Sequence, residues 1–119
     1  MASAIACELG KKKCVPCEGG VQPLPKPEVE RLLAGLPGWK LTDDGKAIRR
    51  TWKCKDFVTA LQFFNDVGKI AEAEDHHPDL HLTGYRMAAI EMTTHAIGGL
   101  SENDFILAAK IDKVKVEAK

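Results

Sequence analysis

The chain has 119 residues, 45% of them hydrophobic and 29% charged, which suits one globular domain with a single modest core. Seventeen Lys and Arg balance seventeen Asp and Glu, so the net charge is zero and the basic excess of an electrostatic nucleic-acid binder is missing. No apolar run approaches the ~20 residues that cross a bilayer, so neither nucleic acid nor membrane is an expected partner.

Residues 1–25 read as a flexible leader, punctuated by Gly19-Gly20 and Pro23-Leu24-Pro25 and without periodicity. Residues 26–119 read as a single domain. The leader lacks the apolar block of a secretory signal. A short cytosolic tail is the expectation, with a remnant transit peptide for mitochondrion or plastid as the alternative. Of the four cysteines, only Cys14-Val15-Pro16-Cys17 has a suggestive spacing. Zinc would need Cys7 and Cys54 to complete the set, and nothing in their spacing says so; free thiols are expected.

The first helix is predicted to start at Pro27, whose fixed φ suits a first turn, with Glu28 and Glu30 at the positive end and Val29, Leu32 and Leu33 as its buried stripe. Gly35 and Pro37-Gly38 stop it. A hairpin follows: Trp39 and Leu41 alternate with polar residues, Asp44-Gly45 signals a tight turn, and Ile48, Arg50 and Trp52 alternate on the return. Asp56 then caps a long helix to about Ala73, with Phe57, Leu61, Phe64, Val67 and Ala71 as the buried stripe. Phe63 and Ile70 widen that stripe, a hint of a subunit contact.

His77 precedes proline, which turns the chain out of the helix. Leu80 and Leu82 alternate with His81 and Thr83 in a short strand, and Gly84 bends the chain. The next strand is predicted over 86–95, with Ala88, Ile90 and Met92 on one face, and Gly98-Gly99 breaks it. Ser101-Glu102-Asn103-Asp104 has the form of a helix-capping box, before a last stripe of Leu107, Ile111 and Val114. The expected fold class is α+β: two layers, a four-stranded antiparallel sheet with helices packed on one face, in the order α-β-β-α-β-β-α.

All four histidines fall between Glu72 and His95, among Glu72, Glu74, Asp75, Asp79 and Glu91. Groups that titrate near neutrality are rarely so crowded in a neutral domain, and this stretch is read as the site. His76 and His77 lie on a helix-to-strand connection and His95 at a strand end, positions from which side chains reach a common rim. Imidazoles there can donate and accept protons near pH 7. Glu72, one turn before His76, is placed to fix its tautomer. Against this, a His pair before proline is more often merely solvated, His81 has the parity of an exposed residue, and Asp104 already has a capping task. A metal site from His77, His81, His95 and Asp79 is the sharper competitor, but Pro78 prevents the helix on which His77 and His81 would share a face.

The pattern Glu72-x-x-Asp75-His76-His77-Pro78, with Tyr85 after a short strand, with His95, and with Gly99-Leu100-Ser101-Glu102-x-Asp104, resembles the pterin-4a-carbinolamine dehydratase family. Gly38-Trp39 and Lys55-Asp56-Phe57 fit as well, and the likeness spans roughly residues 24–117. The resemblance implies a two-layer α+β fold and dehydration of 4a-hydroxytetrahydropterin to quinonoid dihydropterin, a step that recycles the pterin cofactor of hydroxylases. It implies His76 and His95 as acid/base residues and His77 as a substrate contact. Glu72, Asp75, Pro78, Tyr85, Thr94 and Asp104 are then supporting or substrate-binding, with no metal and no cofactor. It further implies homodimers through sheet edges or homotetramers through helices. Some members also serve a homeodomain transcription factor as dimerisation cofactors, a role that a motif match does not transfer. A protein-binding module that docks a partner on the long helix is the alternative function.

Overall fold

The computed structural model describes residues 23–116. The expected leader, save Pro23–Pro25, and with it Cys7, Cys14 and Cys17, lies outside the described residues. Helix α1 is Lys26–Ala34, β1 Lys40–Leu41, β2 Ile48–Lys53, α2 Phe57–Glu74, β3 Asp79–Thr83, β4 Met87–Met92 and α3 Glu102–Ile111, with a single 3-10 turn at His95–Ile97. The strands form one antiparallel sheet in the order β1-β2-β4-β3, so the order of elements and the α+β class are as expected.

Alternation sorts the strand residues onto two faces. Ile48, Ala88, Ile90 and Met92 are buried, whereas Arg49, Thr51, Asp79, His81 and Thr83 are exposed. The register aligns Ile48 with Met92 on the apolar face and Arg49 with Glu91 on the other, where their side chains pair at 3.4 Å. Helix α3 is buried almost all round: Phe105, Ile106, Leu107, Ala108, Ala109 and Ile111 are all in the core. A helix this apolar on every side is central to its domain.

Helix α2 departs from the expected stripe. The residues it buries are Ala60, Phe63, Val67 and Ala71, while Phe57 is 48% and Leu61 42% exposed and Phe64 is half-buried. Both stripes contain Val67 and Ala71, so periodicity alone could not separate them. The packed one runs through the small Ala60, beside Phe63, whose ring meets Trp52 at 4.9 Å. Trp52 in turn meets Trp39 edge-on at 5.7 Å, which ties the first hairpin to α2.

Two carboxylates fix the ends of these elements. Asp112, just past α3 and with its side chain 23% exposed, accepts from Trp39 Nε1 at 2.9 Å and Arg50 Nη1 at 2.8 Å. Burial nonetheless pushes its pKa up, against the lowering effect of those two donors. Asp56 caps α2 by accepting from Thr59 N at 2.8 Å. The Thr59 hydroxyl and then its N–H hold the Asp56 carboxyl below the usual carboxylate range. A lowered folded pKa contributes stability that is fully present above the ordinary carboxylate value and is lost as pH falls through the lowered one. Asp56→Asn, which keeps an acceptor at the cap but no titrating charge, is therefore expected to lower Tm at pH 7 and to flatten its acid limb, the two proteins converging as pH falls through the lowered carboxylate pKa. Thermal melts from pH 7 down to pH 3 read this out, and an unchanged acid limb would contradict it.

Candidate functional site

Helix α2 ends on Asp75, which adopts a left-handed conformation (φ 51°) and returns its N–H to Ala71 and Glu72 carbonyls. Aspartate tolerates this conformation better than most residues. The reversal sends the next residues away from the helix axis. His76 turns inward, its side chain 12% exposed, and its Nε2 lies 2.6 Å from Asp104 Oδ1. His77 turns outward, with Nε2 2.9 Å from Glu72 Oε1 in a largely exposed pair. The expectation that Glu72 would reach His76 is thus corrected: the left-handed Asp75 breaks the helical register, so Glu72 meets His77 instead. Being exposed, that pair orients His77 more than it stabilises the fold.

The second half of the site comes from the end of β4. The strand stops at Met92 rather than continuing to His95. Beyond it Thr94 and Gly99 make an isolated bridge, Thr94 N donating to Gly99 O at 2.9 Å, around the turn that begins at His95. Gly98 closes this loop at φ 66°, where glycine carries no Cβ penalty. A Cβ on Gly99 would come within 2.9 Å of Pro23 Cβ, so the loop also presses against the start of the domain. The tight loop points Thr94 inward, 4% exposed, and leaves the neighbouring His95 exposed.

Asp104 joins the halves. Its side chain is fully buried, and Oδ1 meets His76. Its Oδ2 accepts from Thr94 Oγ1 at 2.8 Å and from Ser101 N at 3.0 Å. The latter bond belongs to a capping box at the start of α3, and the Asp104 N–H returns to the Ser101 carbonyl oxygen at 3.2 Å. The capping task expected of Asp104 is present, and the same carboxyl also holds His76. His76 and His95 are thereby tied to one end of the fold: the first bonds Asp104, and the second follows the threonine that bonds it. Chemically this end offers two imidazoles as proton donors and acceptors, one anchored and one free of side-chain hydrogen bonds to the described residues.

The remaining expected residues divide. Pro78 is half-buried between His77 and the start of β3, and Asp75 is exposed at the helix end. Tyr85 is not brought to this end. It is 57% exposed at φ 57° in the β3–β4 turn, beside Arg86, roughly 15–20 Å along the hairpin from Asp79. The alternative metal set of His77, His81, His95 and Asp79 does not converge; among the described residues no three His, Cys, Asp or Glu side chains group as ligands. Cys54 is a buried free thiol whose pKa is pushed up by burial and then by Asp56, which makes it unreactive. Sequence reasoning missed Ser101 as a member of the site. Its signals were a place in the pattern Gly99-Leu100-Ser101-Glu102-x-Asp104 and in a capping box with Asp104.

The family model described as pterin 4 alpha carbinolamine dehydratase matches residues 22–114. A Halorhodospira halophila protein whose name contains "pterin-4-alpha-carbinolamine dehydratase" is 51% identical over 104 residues, covering 87% of this chain and 94% of the relative. Pterin-4-alpha-carbinolamine dehydratase 2, mitochondrial, of Arabidopsis thaliana is 48% identical over 113 residues, covering 92% of this chain and 60% of the relative. Among solved structures, the transcriptional coactivator/pterin dehydratase of Brucella melitensis is 34% identical with a TM-score of 0.71, covering 76% of this chain and 96% of that one.

Proposed function

The chain belongs to the pterin 4 alpha carbinolamine dehydratase family, and from that premise we propose that it removes water from a 4a-hydroxytetrahydropterin to give the quinonoid dihydropterin. It is a lyase in its reaction class. The observation that carries the residue assignment is the buried hydrogen-bond chain from His76 through Asp104 to Thr94, the neighbour of His95.

The chemistry asks for two proton movements. The C4a–O bond breaks, and hydroxide, a poor leaving group, must be protonated as it departs as water. N5 gives up its proton, and the electrons of that N–H bond become the new C4a=N5 bond. One imidazole supplies the first proton and another accepts the second, so the pair returns to its starting protonation after an exchange with solvent. His76 and His95 take these two roles. His76 is pre-oriented by Asp104, which spares reorientation in the transition state. His77, exposed and steadied by Glu72, contacts the substrate from the rim, with Pro78 and Asp75 shaping the connection. The reaction as written needs neither an electron acceptor nor a Lewis acid.

Assembly belongs to the same proposal. Phe57, Val58 and Leu61 lie exposed on α2, and Leu80 is exposed on the edge strand β3. A homodimer or homotetramer would cover such surfaces. The Brucella relative's name pairs coactivator with dehydratase, and docking of another protein on the α2 surface is the second reading that this exposure favours. No helix among the described residues is long and apolar enough to cross a membrane. We place the protein in the cytoplasm, with mitochondrion, the compartment in the Arabidopsis relative's name, or plastid as the alternative. The test is a stopped-flow assay of a chemically generated 4a-hydroxytetrahydropterin, run with and without EDTA. Accelerated loss of the substrate, unaffected by chelator, is expected; decay at the spontaneous rate, with a partner protein captured in fixed stoichiometry, would favour the second reading.

A further inference from the structure

His76 has two ring nitrogens, and when the ring is neutral only one of them is a proton acceptor. We infer that Thr94 and Ser101 are positioning residues that set which one, acting through Asp104; this rests on the proposed role of His76 in the dehydration.

The hydrogens around Asp104 can be assigned one by one. Thr94 has a single hydroxyl hydrogen, and it goes to Asp104 Oδ2 at 2.8 Å. In the 2.7 Å contact between the Thr94 and Ser101 hydroxyls, Ser101 is therefore the donor. The Asp104 backbone N–H goes to the Ser101 carbonyl oxygen at 3.2 Å. With Ser101 N also donating to it, Oδ2 has two donors, and Oδ1 is left to face His76 Nε2. Both carboxylate oxygens are acceptors in this scheme, so Nε2 carries the hydrogen and Nδ1 is the free lone pair. Thr94, Ser101 and Asp104 are 4%, 8% and 0% exposed, so water does not compete for these bonds. In such surroundings a donor left without its acceptor is costly, which locks the arrangement.

The two hydroxyls and one N–H do what Asp104 alone cannot. A carboxyl group turns about its Cβ–Cγ bond, and pinning Oδ2 aims Oδ1. Remove the Thr94 hydroxyl, and Asp104 keeps only the Ser101 N–H on that side, while the Ser101 hydroxyl loses its acceptor and competes for the carboxylate. The ring of His76 is then free to exchange tautomers. The backbone of Thr94 is held independently, through its N–H to Gly99 O, so Thr94→Val changes the hydrogen bonds more than the fold.

The experiment uses the full chain with 15N-labelled histidine, at a pH where His76 is neutral. The wild type is expected to show a protonated Nε2 and an unprotonated Nδ1 in the two-bond 1H–15N spectrum. Thr94→Val should move both resonances towards tautomer averaging and lower kcat about tenfold with KM within about twofold. Thr94→Ser, which keeps the hydroxyl, should restore both. Should the valine variant fail to fold, Ser101→Ala is read the same way, with a smaller shift in the same direction. A wild-type ring signature in the folded variant would overturn the inference. A His76→Ala protein with undiminished turnover would instead remove the catalytic role of His76; an inactive His76→Ala beside an unshifted Thr94→Val sinks only the role of Thr94 and Ser101.

Discussion

Replacing His76 and His95 together by alanine is expected to lower kcat for dehydration by roughly 10²–10⁴-fold, to near the spontaneous rate. The size follows from the chemistry: hydroxide leaving without a proton, and N5 keeping its own, are both high-energy routes. Each single variant should lose most of that factor, because a half-assisted elimination still has to pass through one of them. The two losses will not add, since the imidazoles act in one step. His77→Ala should differ in kind, raising KM more than it lowers kcat, because His77 is exposed and, among the described residues, its side chain pairs only with the exposed Glu72. Initial rates for the wild type and the four variants, each variant checked for an unchanged Tm, separate these outcomes. Wild-type kcat in the double variant would reject the acid/base assignment outright.

Asp104→Ala has the second-largest expected effect, and it falls on the fold and the site together. The substitution strips acceptors from His76 Nε2, Thr94 Oγ1 and Ser101 N at once, inside a region where Asp104 is fully buried. It also dismantles the capping box of α3, the most buried helix of the domain. Donors left buried without partners, plus the lost cap, put the destabilisation at about 3–5 kcal/mol, a large share of a small domain's stability. Asp104→Asn preserves the volume but turns one acceptor into a donor. That donor must face either His76 or the Thr94–Ser101 pair, so Asn should recover part of the stability and little of the activity. Urea unfolding of the three proteins, with kcat measured on the folded fraction, tests both halves. A fully stable, fully active Asp104→Asn would contradict the placement of Asp104 as the acceptor for His76.

The strand-helix order was legible because the local signals agree with the final packing. Asp44-Gly45 made its turn, Asp56 its cap, and Ala88, Ile90 and Met92 their buried face. What misled was the broad apolar arc of α2, where two stripes share Val67 and Ala71. Which stripe is covered depends on where the sheet and α3 lie, and that is a tertiary fact. The site was legible as a cluster of types, since crowding of histidines in one stretch is visible without coordinates. Its pairing was not. A left-handed Asp75 exchanges the partners of His76 and His77, and nothing in the residues Glu72–Pro78 announces that φ of 51°. Likewise Ser101 and Asp104 read as a helix start, because a capping box looks the same whether or not its carboxyl has a second client. The 3-10 turn at His95 was hidden for a simpler reason: Thr93, Thr94 and His95 continue the alternation of β4, and only the left-handed Gly98 folds the chain back.

The proposed dehydration requires one flat bicyclic ligand to touch imidazoles that arrive from opposite ends of the sequence stretch, one after α2 and one after β4. Titrating 15N-histidine-labelled protein with a stable dihydropterin, and following all four rings at once, measures this most directly. His76 and His95 are expected to shift together and saturate with a single Kd, with His81, on the outer face of β3, unmoved. Shifts confined to one of the two, or two unrelated saturation curves, would show that they do not share a ligand and would contradict the account.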